Sequence, residues 1–297
     1  YLTCDRLLKL SLKLLEKSKK YDRIFLWVHF SDLHAPYINE HNVVESLLEG
    51  FGELNILPEY LSKTLAHRLR LLHLRITLKI GSCIKKIISY LDNCASKYLI
   101  LITADHGEEF YEHRAFGHEG KTIGNLKIRH LYEELIHIPL VVIGSELQRY
   151  EDSKTLVHHI DIAPTLISTL GTDKVPTFYR GRSLLEIAEC GGADRMYVIS
   201  EVKASRIIGS LREVGEAHAL ILKSGLKYIQ HSILGEELYD LSKDPLETNN
   251  LAFKAHDILQ LMRNIIVKHK LRVQDIKRLR NKLLQLKGAV SYTHLTL

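Results

Sequence analysis

The stretch Leu99-Ile-Leu-Ile-Thr-Ala-Asp-His-Gly-Glu108 decides how this sequence is interpreted. Its first five residues are short and apolar, as in a buried strand, and the run ends abruptly at Asp105-His106-Gly107. A carboxylate and an imidazole at one strand end can coordinate one metal ion if the chain turns sharply there, which Gly107 permits. The stretch therefore predicts a strand that carries two metal ligands to one edge of a sheet.

Two more apolar runs have the character of strands. Residues 24–30 lead into the loop Ser31-Asp-Leu-His-Ala-Pro-Tyr37, and residues 139–143 are followed by Gly144. Helical patterns alternate with these runs, so the predicted fold class is α/β, with a mostly parallel sheet flanked by helices. We expect the helices at residues 2–20, about 42–91 and 160–170, and a long loop over residues 105–127.

Changes in composition divide the sequence into four segments. Ser224-Gly225 lies between two short strand-like runs, which is typical of a tight antiparallel hairpin. A long helix with an apolar stripe and many basic residues follows it. The predicted segments are the α/β core over residues 1–185, a small antiparallel subdomain over 186–252, a basic amphipathic helix over 253–287 and a non-native tail over 288–297.

Composition excludes several classes of protein. With 297 residues, 45% hydrophobic and 26% charged, the chain can bury a sizeable core. Its net charge of +6 is concentrated in residues 268–287, which we expect to be a solvated helix face without a nucleic-acid motif. No apolar run approaches the roughly 18 residues of a membrane span. The four cysteines, Cys4, Cys83, Cys94 and Cys190, are expected to be reduced thiols. The sequence leaves open whether the protein is cytoplasmic or exported, and it leaves open the oligomeric state.

Further motifs lie before and after the Asp-His-Gly-Glu stretch, in a fixed order. They are His34 in His-x-Pro-Tyr, His118 and Lys121 in Phe-Gly-His-Glu-Gly-Lys, Glu134 to Pro139 in Glu-x-x-x-x-Pro, Asp161 in Asp-x-x-Pro-Thr, Gly181-Arg-Ser-Leu184, and Glu237-Leu-Tyr-Asp240 with Asp244-Pro-Leu-Glu247. The ordered set resembles the sulfatase family of the alkaline-phosphatase superfamily, and the resemblance covers about residues 24–252. It implies an alkaline-phosphatase-like core, here partial.

The resemblance implies a role for each matching residue. Asp105 and His106 would ligate one divalent metal, which is calcium by family, although a nitrogen ligand also suits manganese or zinc. His34 would contact the sulfate or its leaving-group oxygen, and His118 would bind the sulfate, so these two are the candidate catalytic residues. Lys121 is a second candidate for binding the substrate.

Other residues are expected to be structural. Glu108 would orient the loop and Asp161 would begin a helix. Tyr239 and Asp240 would pack the subdomain against the core, and Trp27 would lie in the core.

The resemblance also implies a nucleophile that this sequence does not contain. Family members carry Cys/Ser-x-Pro-x-Arg, whose first residue is oxidised to formylglycine, and none of the six prolines here has Cys or Ser two residues before it. We therefore expect the C-terminal portion of a metal-dependent sulfuric ester hydrolase, inactive as it stands, with the formylglycine in a missing N-terminal part.

Two alternatives stay open. The first is a phosphodiester or phosphonate-ester hydrolase, or a phosphoglycerol or phosphoethanolamine transferase, of the same superfamily. Asp32 and His34 are two residues apart, which does not match the Asp-x-x-x-His pair of the two-zinc phosphodiesterases. The second is a non-catalytic protein that binds nucleic acid or another acidic partner through the basic helix.

Overall fold

The chain contains both helices and strands, but they come in groups rather than in the alternation that the sequence predicts. The computed structural model describes residues 2–34, 59–118, 120–123, 126–145, 147, 155–171, 179–189, 195–208 and 211–293. The helices are α1 (Cys4–Ser18), α2 (Glu59–Cys94), α3 (Glu133–Ile136), α4 (Ile162–Thr169), α5 (Leu184–Glu189) and α6 (His256–Thr293). The strands are β1 (Leu99–Thr103), β2 (Glu109–Phe110), β3 (Phe116–Gly117), β4 (Lys121–Ile123), β5 (Leu126–Ile128), β6 (Leu140–Gly144), β7 (Tyr197–Ile208), β8 (Leu211–Leu222), β9 (Leu226–His231) and β10 (Gly235–Asp240).

Helices α1 and α2 pack against each other and form one apolar cluster. Leu8 and Leu15 of α1 are buried, because leucines at helical spacing lie on one side while the lysines between them face solvent. The backbone N–H of Cys4 donates to Asp32 Oδ1 at 2.9 Å, which fixes the first turn of α1. Cys4 and Cys83 carry free thiols in this cluster, and burial raises the pKa of the Cys4 thiol to about 12.

Strands β1 and β6 form a two-stranded antiparallel sheet. Thr103, the last residue of β1, pairs with Leu140, the first residue of β6. The chain between them, residues 104–139, therefore leaves and re-enters the sheet at the same end. This single excursion contains Asp105, His106, His118 and Lys121, four of the five predicted site residues.

The larger sheet has six strands. The order is β10-β9-β8-β5-β4, with β7 also paired to β8. Helix α6 covers one face through Leu259, Met262 and Ile266, and the other face contacts Leu131 and Tyr132 just before α3. The C-terminal sheet thus lies between α6 and the segment that enters α3.

The α/β class is confirmed, but the direction of the strands differs from the prediction. Among the described residues the ladders are mixed, since β5 and β8 pair in parallel and the other pairs are antiparallel. Parallel neighbours need a crossover to the opposite end of the sheet, whereas residues 104–139 return at the same end. The loop predicted over residues 105–127 contains the short strands β2, β3 and β4 and the start of β5.

The prediction of a strand at residues 24–30 is wrong. The segment is extended, but in the described part of the chain no strand pairs with it, and a strand needs ladder hydrogen bonds. Several of its apolar side chains are exposed, and Trp27, expected in the core, is 73% exposed, whereas Phe30 packs against the cluster of α1 and α2.

Other predicted boundaries are mostly confirmed. The hairpin at Ser224-Gly225 joins β8 to β9, with Gly225 at a φ of +89°. Helix α6 runs to Thr293 rather than to residue 287. Strands β4 and β5 lie in the predicted core segment, but they pair with the strands of the C-terminal sheet. The boundaries of the four predicted segments stay a prediction. Among the described helices, none has the length and apolar composition needed to cross a bilayer.

Candidate metal and anion site

The candidate site begins where β1 ends, and its geometry depends on Gly107. The backbone N–H of Gly107 donates to the carbonyl of Leu135 at 2.8 Å. A Cβ at this position would lie 1.9 Å from the Glu134 carbonyl oxygen, so only glycine lets the strand end approach α3 this closely. The sequence predicts that Gly107 is needed for a sharp turn, but the φ angle of Gly107 is not positive. Glycine is required here because the backbone packs closely against α3.

Asp105 and His106 present two potential ligand atoms side by side. Asp105 Oδ2 lies 3.8 Å from His106 Nε2, and the Asp105 side chain is 75% exposed. His106 Nδ1 lies 2.8 Å from the carbonyl oxygen of Gly107. Because a carbonyl only accepts, Nδ1 carries the proton and Nε2 keeps a lone pair that can bind a metal.

His118 and His34 lie beside His106. The centroids of the His106 and His118 rings are 4.2 Å apart, and those of His34 and His118 are 5.1 Å apart. Gly117, with a φ of +79°, precedes His118 and sets the direction of the chain there. The structure therefore brings three of the predicted imidazoles into one cluster at the end of β1. Pro36 and Tyr37 of the predicted loop lie outside the described residues.

Glu108 belongs to the same cluster. Its Oε2 lies 3.5 Å from His118 Nδ1, and single ligand atoms of His106, Glu108 and His118 all lie within 4.8 Å of one another. The sequence argument expected Glu108 to orient the loop only. Its carboxylate is also near enough to contribute to a cation site, a possibility that position in the sequence alone does not reveal.

Lys121 has a different neighbour. Its Nζ lies 5.3 Å from the centroid of the Tyr132 ring, a cation–π distance. Tyr132 in turn stacks on His113, with centroids 3.7 Å apart. The structure thus gives Lys121 a contact with Tyr132 rather than one with the imidazole cluster.

A buried polar group supports the hairpin of β2 and β3. The fully buried Glu109 accepts hydrogen bonds from the backbone N–H groups of His113 and Ala115, each at 2.8 Å, and its Oε2 lies 2.8 Å from His130 Nε2. Burial would raise the pKa of the Glu109 carboxyl, but these bonds outweigh it and the pKa is lowered. Sequence analysis did not single out Glu109 or His130, because charged residues are frequent throughout this stretch.

His113 links this group to α3 and to the C-terminal turn. Its Nδ1 lies 2.7 Å from Glu134 Oε1 and its Nε2 lies 3.4 Å from the carbonyl oxygen of Glu247. Both neighbours are acceptors, which favours the cationic imidazole. Burial disfavours the cationic imidazole, but the hydrogen bond to Glu134 outweighs this effect, so the pKa of His113 is raised.

Asp161 is structural, as predicted. Its buried carboxylate pairs with Arg195 at 2.5 and 2.7 Å and accepts the backbone N–H groups of His158 and Arg182. The neighbouring His159 was not predicted to have a role. Its Nε2 lies 2.8 Å from the carbonyl oxygen of Ala104, so the turn before α4 contacts the residue that precedes Asp105.

Two family models match the chain. The model described as Sulfatase matches residues 3–172, and the model described as N-sulphoglucosamine sulphohydrolase, C-terminal, matches residues 123–277. Together they cover β1, the imidazole cluster and the C-terminal sheet.

Individual proteins also match the chain. Arylsulfatase K of Gallus gallus is 26% identical over 220 residues, which are 69% of this chain and 37% of that protein. The multifunctional alkaline phosphatase superfamily protein PehA of Trinickia caryophylli is 27% identical over 187 residues, 59% of this chain and 34% of that protein. This chain therefore spans about a third of the length of these relatives.

A solved structure shows the same fold. The putative sulfatase YidJ from Bacteroides fragilis superposes with a TM-score of 0.65 at 16% identity, over 87% of this chain and 56% of that one. At this identity the likeness concerns the fold, which is that of the alkaline-phosphatase-like sulfatases.

Proposed function

The chain belongs to the sulfatase family, and from this premise we propose that it supplies metal-binding and anion-binding side chains to a sulfuric ester hydrolase. A divalent metal site is general in the family. The observation that carries the proposal is the cluster at the end of β1, where the His118 ring lies 4.2 Å from His106 and 5.1 Å from His34.

The donor atoms of this cluster suit a divalent cation. Asp105 offers a carboxylate oxygen, and His106 offers Nε2 because its Nδ1 faces the Gly107 carbonyl. These two residues would hold the metal, and the bound metal would polarise the sulfate ester; Glu108 offers a further oxygen close to His106 and His118. Calcium is our first choice, and the nitrogen ligand leaves manganese or zinc as the other candidates.

His34 and His118 would act on the sulfate itself. An imidazolium donates to sulfate oxygens, and an imidazole that holds a proton beside the leaving-group oxygen can act as a general acid. We assign sulfate binding to His118 and contact with the sulfate or leaving oxygen to His34. Lys121, over the Tyr132 ring, is retained as a second anion-binding candidate. The nucleophile, formylglycine by family, would lie outside these 297 residues.

The same cluster could act on phosphate or phosphonate esters, and the similarity to PehA favours keeping this second candidate. The Asp32 side chain gives a reason to rank it second. It is buried and its Oδ1 accepts the backbone N–H of Cys4, which argues against a second metal of the two-zinc phosphodiesterase kind at this position.

One experiment decides between the two chemistries. The protein expressed from its complete native reading frame is assayed on p-nitrophenyl sulfate and on bis(p-nitrophenyl) phosphate, after chelation and after return of calcium, manganese or zinc. We expect sulfate hydrolysis to dominate, to need the metal, and to fall at least about 100-fold in His118→Ala. His67→Ala, an exposed histidine of α2, is the matched control and should keep full activity. Faster phosphodiester hydrolysis would overturn the assignment.

A further inference from the structure

The positive charge of the chain is segregated on one helix. Residues 268–287 contain eight lysines and arginines and a single acidic residue, Asp275, whereas the whole chain of 297 residues has a net charge of only +6. The rest of the molecule is therefore close to neutral. A charge so concentrated produces a local positive potential that attracts anions.

This basic stretch begins where α6 stops packing on the sheet. Met262 and Ile266 are fully buried against the C-terminal sheet, and the side chain of Lys270 still donates to Gln230 Oε1 at 2.8 Å. Beyond Lys270 most of the described side chains, basic and apolar alike, are exposed; Leu271, Ile276, Leu279 and Leu284 are 46% to 60% exposed, and Val273 is half-buried. We call residues 271–282 of α6 the basic tip.

The distribution of the charges limits what the basic tip can bind. Successive helical residues are rotated by about 100°, so Lys277, Arg278, Arg280 and Lys282 point to different sides of the helix. A helix that lies on a membrane needs a clean apolar face, and in the basic tip the predicted apolar stripe is interrupted, because Arg272 lies between Ile276 and Leu279 on that side of the helix. Binding of single-stranded nucleic acid uses aromatic side chains between the basic ones, and residues 268–287 contain no Phe, Tyr or Trp.

A flexible linear polyanion can contact basic groups on several sides of one helix. We propose that the basic tip is a docking surface for a sulfated polysaccharide, so that polymeric sulfate esters are held at α6 as well as at the cluster beside β1. The proposal rests on the proposed sulfatase function, because it names a polymeric substrate for that site. Arg and Lys bind sulfate oxygens through charge-assisted hydrogen bonds, and each ion pair releases counterions, so binding must weaken with salt.

Binding is tested with a variant that removes five charges from the tip, Arg272→Gln, Lys277→Gln, Arg278→Gln, Arg280→Gln and Lys282→Gln. The matched control removes five exposed charges from α1 and the turn just after it, Arg6→Gln, Lys9→Gln, Lys13→Gln, Lys17→Gln and Lys20→Gln. Heparin is the probe, titrated at several salt concentrations, with circular dichroism to verify folding. We expect the tip variant to bind at least about tenfold more weakly with a shallower salt slope, and the control to change by less than about twofold.

Three results would overturn the docking proposal. They are equal heparin affinity of the tip variant and the unmodified chain, tighter binding of poly(U) than of heparin at the tip, and tighter binding of phosphatidylserine vesicles than of heparin. The first result would mean that the basic tip does not bind the polysaccharide. The second would mean that it binds a nucleic acid, and the third that it binds a membrane.

Kinetics separate this proposal from the sulfatase assignment. In the protein from the complete reading frame, the tip variant should raise KM for a sulfated polysaccharide about tenfold while kcat stays unchanged. KM for p-nitrophenyl sulfate should not move, because that small ester cannot reach both surfaces. Unchanged KM for the polymer would refute the docking surface alone, whereas absence of hydrolysis on either ester would refute the sulfatase function.

Discussion

Lys227 of β9 and Glu247, in the turn after β10, form an ion pair in which neither side chain has any solvent exposure. Lys227 Nζ lies 2.7 Å from Glu247 Oε1 and donates to Glu133 Oε1 at 2.9 Å. The other oxygen of Glu247 accepts the backbone N–H of Glu133 at 2.6 Å. The C-terminal sheet thereby fixes the first residue of α3, the helix against which Gly107 packs.

Breaking this ion pair should destabilise the fold strongly. Lys227→Met removes the cation and leaves two carboxylates buried together, for which we expect a loss of about 3–5 kcal/mol in the free energy of unfolding. Lys243→Met breaks the solvent-exposed pair with Asp240, whose N···O distance is 2.7 Å, and should destabilise the fold far less than Lys227→Met does. Urea unfolding measures both. Equal losses in the two variants would mean that the buried pair does not hold α3.

Alanine at position 107 should disturb the site directly. The added Cβ would meet the Glu134 carbonyl oxygen, so either β1 or α3 must move, at a cost of about 1–3 kcal/mol. Weaker metal binding should accompany the loss. Gly81→Ala is the control, because its Cβ would have no atom within 4 Å and alanine favours the interior of α2 by about 0.5–1 kcal/mol. Thermal unfolding should therefore move in opposite directions in the two variants, and a stable Gly107→Ala would contradict the close-packing argument.

Local patterns predicted the features that depend on nearby residues. The apolar run before Asp105, the hairpin at Gly225 and the helix start at Asp161 are each specified by a few consecutive residues, and all three are present. Patterns of this kind encode strand length, turn type and capping, which local chemistry determines.

Features that depend on tertiary pairing could not be predicted in the same way. Leu126 pairs with Arg212, which places the residues after His118 in the C-terminal sheet, and no local pattern indicates that pairing. Trp27 illustrates the opposite case. Its apolar surroundings in the sequence are typical of a core strand, but burial needs neighbours that the described part of the chain does not provide.

The pairing of Asp161 predicts a defined pH dependence. Burial opposes the charge, but Arg195 and two backbone N–H groups hold the pKa of the Asp161 carboxyl below its usual value. The stabilisation is therefore present above the unfolded pKa, near pH 4, and is lost as pH falls through the lower folded pKa. Asp161→Asn should be less stable than the unmodified chain by about 3–5 kcal/mol near pH 7, and the gap should narrow below about pH 4.

Unfolding in urea between pH 2.5 and pH 7 measures this gap. Asp257→Asn changes an exposed aspartate at the start of α6 and should give a small difference throughout. A gap for Asp161→Asn that stays constant across the range would show that the carboxylate charge does not stabilise this junction.

Removal of the Asp105 carboxylate should strongly weaken metal binding while the fold persists. Asp105 is 75% exposed, and its recorded hydrogen bond is to the N–H of its own neighbour His106, so Asp105→Ala has little packing to lose. Titration calorimetry with calcium, manganese and zinc should show affinity at least about tenfold weaker than in the unmodified chain. Asp22→Ala, an exposed aspartate after α1, should bind as before. If Asp105→Ala keeps the same affinity and stoichiometry while His106→Ala loses binding, the cation is held by His106, Glu108 and His118 instead, the group whose ligand atoms lie within 4.8 Å.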